Sequence, residues 1–195
     1  MTTRAISAPD IPEGRYAERL GRAQALLAER AVGALLIGIG AELRYLTGYG
    51  APLLERVTML VLLPSGRPTL VVPHLEAMAA ELAPAVRSGV VEVTAWDETD
   101  DPHAMVGRRV GYDVAPVGSR VLVNDRLWAS HVLALGRVLP ELELGLASDI
   151  LSELRIVKDE DEVELLRLAA RAADRVIDKI ALGRLVGRTE HDVAR

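Results

Sequence analysis

The chain has 195 residues, half of them hydrophobic and a quarter charged, with a net charge of −5 and no cysteine. That length suits one ordinary domain plus a fragment, and the composition fits a packed globular protein rather than a disordered one. The acidic balance excludes a broad nucleic-acid surface, the missing cysteines exclude disulfide and thiol chemistry, and the apolar runs fall far short of the roughly 20 residues of a membrane span. With no signal-like apolar run near the N-terminus, these features fit a cytoplasmic protein.

Pro12 to Arg30 carries Tyr16, Leu20, Ala23 and Leu27 at spacings of three and four, which predicts an amphipathic helix. Ala34 to Ile37 is a short apolar run closed by Gly38 and reads as a buried strand. A brief helix over Ala41 to Leu46 ends at Thr47-Gly48. Val57 to Leu63 and Thr69 to Val72 are strands joined through Pro64-Ser65-Gly66-Arg67, the turn of an antiparallel hairpin.

The rhythm then repeats. His74 to Leu82 reads as a helix, Val90 to Trp96 as a strand and Pro102 to Val106 as a helix. Val110 to Val114 and Arg120 to Val123 read as strands. Asn124 or Asp125 is the expected cap of a helix through Trp128 to Leu139, and Leu142 to Leu146 is the last strand. Such alternation predicts an α/β fold, a mixed β-sheet with helices on both faces, followed by a long C-terminal helix.

Residues 1–153 are expected to form that α/β domain. In 154–195, Ser148 having capped a short helix just upstream, Leu154 to Val157 reads as an extended connector. Asp159 and Glu162 form the capping box of a long helix, and Gly187-Arg188-Thr189-Glu190 opens another. The long helix has a wide apolar face through Val163, Leu166, Ala170, Ile177 and Ile180, which calls for a partner surface.

Motifs with chemical meaning are few. His74, His103, His131 and His191 are widely separated and match no helical ligand pair, so no metal site is expected in this chain. Gly38-Ile39-Gly40 follows a strand and opens a helix as a dinucleotide turn would, but Leu43 stands where the third glycine belongs. The acidic cluster Asp97, Glu98, Asp100 and Asp101 reads as a solvated loop and helix cap. Arg44 and Tyr45 follow the end of the first strand, a region where α/β proteins often hold ligands.

Leu43-Arg44-Tyr45-Leu46-Thr47-Gly48-Tyr49 resembles the RYLTGF stretch of the Xaa-Pro peptidases, which include prolidase, aminopeptidase P and creatinase. The stretch Leu62 to Pro73 is similar to that family's hairpin, Leu154 to Lys158 to its domain connection, and Gly187 to Glu190 to the second helix of its catalytic domain. The resemblance implies an N-terminal α/β domain followed by a pita-bread catalytic domain. In that domain two divalent metals (Mn, Co or Zn) sit on two Asp, one His and two Glu that would all lie downstream of Glu190.

On this reading the chain is the non-catalytic part of a metal-dependent Xaa-Pro dipeptidase or aminopeptidase. It has no catalytic or metal-binding residues of its own and should be inactive alone. The resemblance further implies a homo-oligomer, dimer or tetramer, and a proline-containing peptide as the substrate of the whole enzyme, with no nucleic acid or membrane partner. It makes Arg44 and Tyr45 candidates for substrate access at a subunit interface. A stand-alone binding or assembly protein is the alternative, and a nucleotide-binding α/β protein built on Gly38 and Gly40 a more distant one.

Overall fold

The computed structural model describes residues 11–111, 119–183 and 185–194. By its internal contacts the chain separates into two compact units, one of Pro12–Val157 and one that carries the chain from Lys158 onward.

The first unit is built on a six-stranded sheet. Its elements run α1 (Glu13–Glu29), β1 (Val32–Gly38), α2 (Ala41–Thr47), β2 (Met59–Leu62), β3 (Thr69–Pro73), α3 (His74–Glu81), α4 (Pro84–Arg87), β4 (Glu92–Trp96), α5 (Pro102–Gly111), β5 (Arg120–Val123), α6 (Ala129–Val138), β6 (Glu143–Leu146) and α7 (Ser148–Ile156). The strand order is β4-β3-β2-β1-β5-β6. Only β2 runs against its neighbours: β1–β2 and β2–β3 are antiparallel, whereas β3–β4, β1–β5 and β5–β6 are parallel. The predicted hairpin is therefore β2–β3, with Leu60 opposite Leu70.

Every residue of β1, β2 and β3 is buried, which is why these strands read as unbroken apolar runs rather than alternating ones. One face of the sheet presents Ala34, Leu36, Met59, Val61, Val71, Val121 and Val123 to Val106 and Val110 of α5 and Leu135 of α6. The alternate residues, Leu35, Ile37, Leu60, Leu62 and Leu122, point the other way and are also fully buried. On that side α1 packs on β1 through its buried stripe Tyr16, Leu20, Ala23 and Leu27. Each fully buried Leu or Ile in these layers contributes about 1.5–3 kcal/mol.

Several sequence expectations need correction. Val110 is helical, not the start of a strand: α5 continues through Gly111 because Val106 and Val110, four apart, both face the core. The rest of that expected strand lies outside the described residues. Neither Asn124 nor Asp125 caps α6, which begins after Trp128 without a side-chain cap. Asp125 Oδ1 instead accepts from Ser148 N at 3.1 Å, so Asp125 serves the start of α7 in place of Ser148. Leu154 to Ile156 form the last turn of α7 rather than an extended connector, since Ile150, Leu151 and Leu154 share its buried face. The four-residue α4 had no counterpart in the sequence reading.

In the second unit, α8 (Glu160–Leu182) begins with the expected capping box. Asp159 Oδ1 accepts from Glu162 N and Glu162 Oε2 from Asp159 N, each at 2.9 Å. Its apolar stripe is present, yet none of its residues is buried. In α9 (Glu190–Ala194), Asp192 Oδ2 accepts from Thr189 N and Oγ1, and these bonds hold its carboxyl below the usual range. No helix among the described residues is long and apolar enough to cross a membrane.

Candidate functional site

Because every strand except β2 points the same way, the C-terminal ends of β1, β5 and β6 lie side by side at one edge of the sheet. The turns that leave them enclose a cleft of about 790 Å³. Its walls come from the 39–42 turn after β1, the 124–128 loop after β5 and α7 after β6. Open α/β sheets hold ligands at this edge.

Two constraints shape the first turn. A side chain at Gly38 would start 2.8 Å from Leu127 Cδ1, so any larger residue there would push the Leu127 side chain aside. The Gly38 amide is fixed by donation to Asn124 Oδ1. Asn124 in turn places Nδ2 3.4 Å from Glu42 Oε2, while Glu42 Oε1 accepts from Arg155 Nη1 at 2.7 Å. Buried Asn124 thus couples the two strand-end loops to an ion pair on the cleft wall. Trp128, 41% exposed, supplies an apolar surface beside it, and Asp125 and Arg126 add charges of both signs. Leu43 is fully buried in the place of the third glycine of a dinucleotide turn.

The two residues singled out in sequence have different surroundings. Arg44 is exposed on α2, outside the cleft lining, and its guanidinium has no partner among the described residues. Tyr45 is half-buried at a junction of three helices. Its ring lies 4.3 Å from the guanidinium of the buried Arg19 on α1 and 5.8 Å from that of Arg155 on α7. Its hydroxyl donates to Leu154 O at 3.1 Å, and its carbonyl accepts from Arg19 Nη1 at 3.2 Å. Tyr45 therefore meets the cleft through Arg155. The sequence reading missed Glu42, Asn124 and Arg155; their separations of 82 and 113 residues leave no local signal.

Two of the four histidines do meet. His103 Nε2 and His131 Nδ1 are 3.1 Å apart across α5 and α6, with Trp128 stacked on the His131 ring. Burial lowers the pKa of both; Asp101 partly opposes this at His103, and His103 adds to it at His131. His74 pairs with Asp97 at 3.1 Å on the surface. Asp101 caps α5 by accepting from Ala104 N, as expected of the acidic loop. Among the described residues no group of three or more His, Asp and Glu side chains could hold a metal ion, so they do not fit a two-metal centre.

Residues 19–157 match the sequence family described as the creatinase/prolidase N-terminal domain. The probable dipeptidase PepE of Mycobacterium tuberculosis is 40% identical over 179 residues, which cover 92% of this chain and 46% of that protein. The crystal structure of dipeptidase PepE from Mycobacterium ulcerans has a TM-score of 0.81 at 37% identity, covering 95% of this chain and 48% of that one. A prolidase from Thermococcus sibiricus gives 0.79 at 26% identity, covering 92% and 47%. The chain spans about half the length of these relatives and matches their N-terminal domain. A mixed six-stranded α/β sheet and a match over 19–157 agree: the chain belongs to the creatinase/prolidase N-terminal domain family.

Proposed function

We propose that this chain is the non-catalytic part of a cytoplasmic, metal-dependent Xaa-Pro dipeptidase or aminopeptidase, where it builds a homo-oligomer and gates access to the active site. The observation that carries this reading is the match of residues 19–157 to the N-terminal domain of proteins about twice as long. The segment 154–195 would contain the opening helices of the catalytic domain. In the longer enzyme, two divalent metals held outside this chain would activate water for attack on the Xaa-Pro bond.

The residues of this chain would act on access rather than on chemistry. Arg44, exposed and unpaired among the described residues, is the proposed contact for a substrate carboxylate or for a neighbouring subunit. Tyr45, held by Arg19 and Leu154, is its proposed support at the interface.

The direct test is hydrolysis of an Xaa-Pro dipeptide by the 195-residue chain with Mn, Co or Zn added, beside the same assay on a longer protein that includes it. No turnover by the chain and metal-dependent turnover by the longer form are expected. Turnover by the chain alone overturns the assignment as non-catalytic. In the longer form, Arg44→Ala should raise KM more than it lowers kcat; unchanged KM and unchanged native mass would remove Arg44 from the site.

A further inference from the structure

Two histidines that lie 28 residues apart in sequence meet at the seam between α5 and α6. His103 Nε2 and His131 Nδ1 are 3.1 Å apart, and the ring centroids 5.3 Å. Each histidine stands in the first turn of its helix, and the two helices pack along one another from there. Further along the seam, Gly107 of α5 admits Val138 of α6 so closely that an added Cβ would stand 3.1 Å from Val138 Cγ2. Helix packing therefore sets the spacing of the two imidazoles.

That spacing suits a shared metal ion. Imidazole nitrogen is a favoured ligand of zinc and its transition-metal neighbours. With metal–nitrogen bonds of about 2.0–2.1 Å, two nitrogens on one ion stand about 2.9 Å apart at a right angle and about 3.4 Å at a tetrahedral one. The observed 3.1 Å falls inside that window. The rings now meet almost head-on, as a hydrogen-bonded pair does. Aiming both lone pairs at one ion takes a turn of each ring about its terminal torsion, which is soft. The bridging proton then moves to the other nitrogen of its own ring, so none is lost.

The neighbours prepare the pair for this. Asp101 Oδ1 lies 4.0 Å from His103 Nδ1 and favours the tautomer that carries its proton there, which leaves the Nε2 lone pair toward His131. Metal-bound histidines commonly have such a carboxylate behind them. Trp128 stacks on the His131 ring with centroids 6.0 Å apart and planes at 7°, which restrains that ring. The positive ends of both helices, with Arg56 and Arg126 beside His131, oppose a cation. Against them stand Asp100 and Asp101 in the loop that leads into α5, while Arg56 is paired with Glu98 at 2.8 Å. Among the described residues no third metal-ligating side chain joins the pair, so water fills the other positions.

We propose that His103 Nε2 and His131 Nδ1 chelate one divalent transition-metal ion, of the zinc or nickel class, with water completing its coordination. The ion braces α5 to α6. The site does not depend on the reading of the longer enzyme.

The test uses the 195-residue chain, made without a histidine tag and stripped with a chelator that is then removed. It is titrated with NiCl2 at about pH 7.5, where free imidazole is mostly neutral. Calorimetry should show one ion per chain, and Trp128 emission should be quenched because its ring stacks on His131. ZnCl2 should displace the nickel and raise the thermal midpoint, since the ion binds the folded pair. His103→Gln and His131→Gln should each weaken nickel binding by at least ~10-fold and abolish the quenching, with circular dichroism unchanged. His74→Gln with His191→Gln should bind nickel as the parent does. A parent chain that takes up no nickel overturns the site. So does parent-like binding by the His103 and His131 variants, or loss of binding in the His74 and His191 control.

Discussion

Arg155 donates to Glu42 Oε1 at 2.7 Å and ties the last turn of α7 to the first turn of α2 along the cleft wall. The two side chains are 41% and 30% exposed, so water screens the pair and its net worth is about 0.2–1 kcal/mol. Glu42→Gln keeps the size and, through its one amide oxygen, the bond to Arg155, but removes the charge and turns an NH2 donor toward Asn124 Nδ2. Urea unfolding at low salt should show a loss of that order, and the loss should shrink at ~1 M salt, where the screening length falls to about 3 Å. A salt-independent loss would mean that the bond to Asn124, not charge, is what Glu42 contributes.

Tyr45 offers a sharper test of the three-helix junction. Tyr45→Phe removes the bond to Leu154 O and leaves the ring against Arg19, so it should cost about 0.5–1.5 kcal/mol. Tyr45→Ala also removes the ring and should cost about 3 kcal/mol or more. If the two variants unfold at the same urea concentration, the ring contributes nothing at this junction.

Gly48 closes α2 with φ 77°, in the left-handed region, and an added Cβ would stand 2.6 Å from Pro84 Cδ and 3.1 Å from Tyr16 Cζ. Gly66 has a similar φ of 82° in the hairpin turn, but open space around it. Gly66→Ala should therefore cost only the backbone strain, about 1–2 kcal/mol. Gly48→Ala should cost at least ~1 kcal/mol more, because α4 must shift to admit the methyl group. Equal thermal midpoints for the two variants would show that α4 yields without cost.

These contacts divide what the sequence disclosed from what it hid. Strands β1, β2 and β3 were legible because burial on both faces leaves uninterrupted apolar runs, and the capping box of α8 because its two partners are three residues apart. Asp125 was misassigned because an acidic residue ahead of a helix looks like its cap, whereas its acceptor role is at Ser148, 23 residues away. Leu154 to Val157 looked extended in isolation; counted together with Ile150 and Leu151, Leu154 completes a helical face. The cleft was illegible beyond its first turn, since Asn124 and Arg155 reach Glu42 only once β5 and α7 are in place.

The His103–His131 contact makes stability depend on pH. Burial lowers both pKa values from their ordinary 6.5, so over the interval below 6.5 the unfolded chain binds more protons than the folded one. The stabilisation is complete above pH 6.5 and is lost as pH falls toward the folded values. Two imidazolium rings could not keep a hydrogen bond at 3.1 Å. The neighbouring charges are Asp101, 4.0 Å from His103 Nδ1 and opposing the shift there, with Arg56 and Arg126 lining a small hollow beside His131. Both rings lie in the first turns of their helices, where the dipole also disfavours a cation. With the rings only partly buried, solvent screens part of the effect. Thermal unfolding from pH 7 to pH 5 should therefore show a falling midpoint, and His103→Gln with His131→Gln should flatten the fall. An unchanged slope in the double variant would assign the pH dependence to other groups.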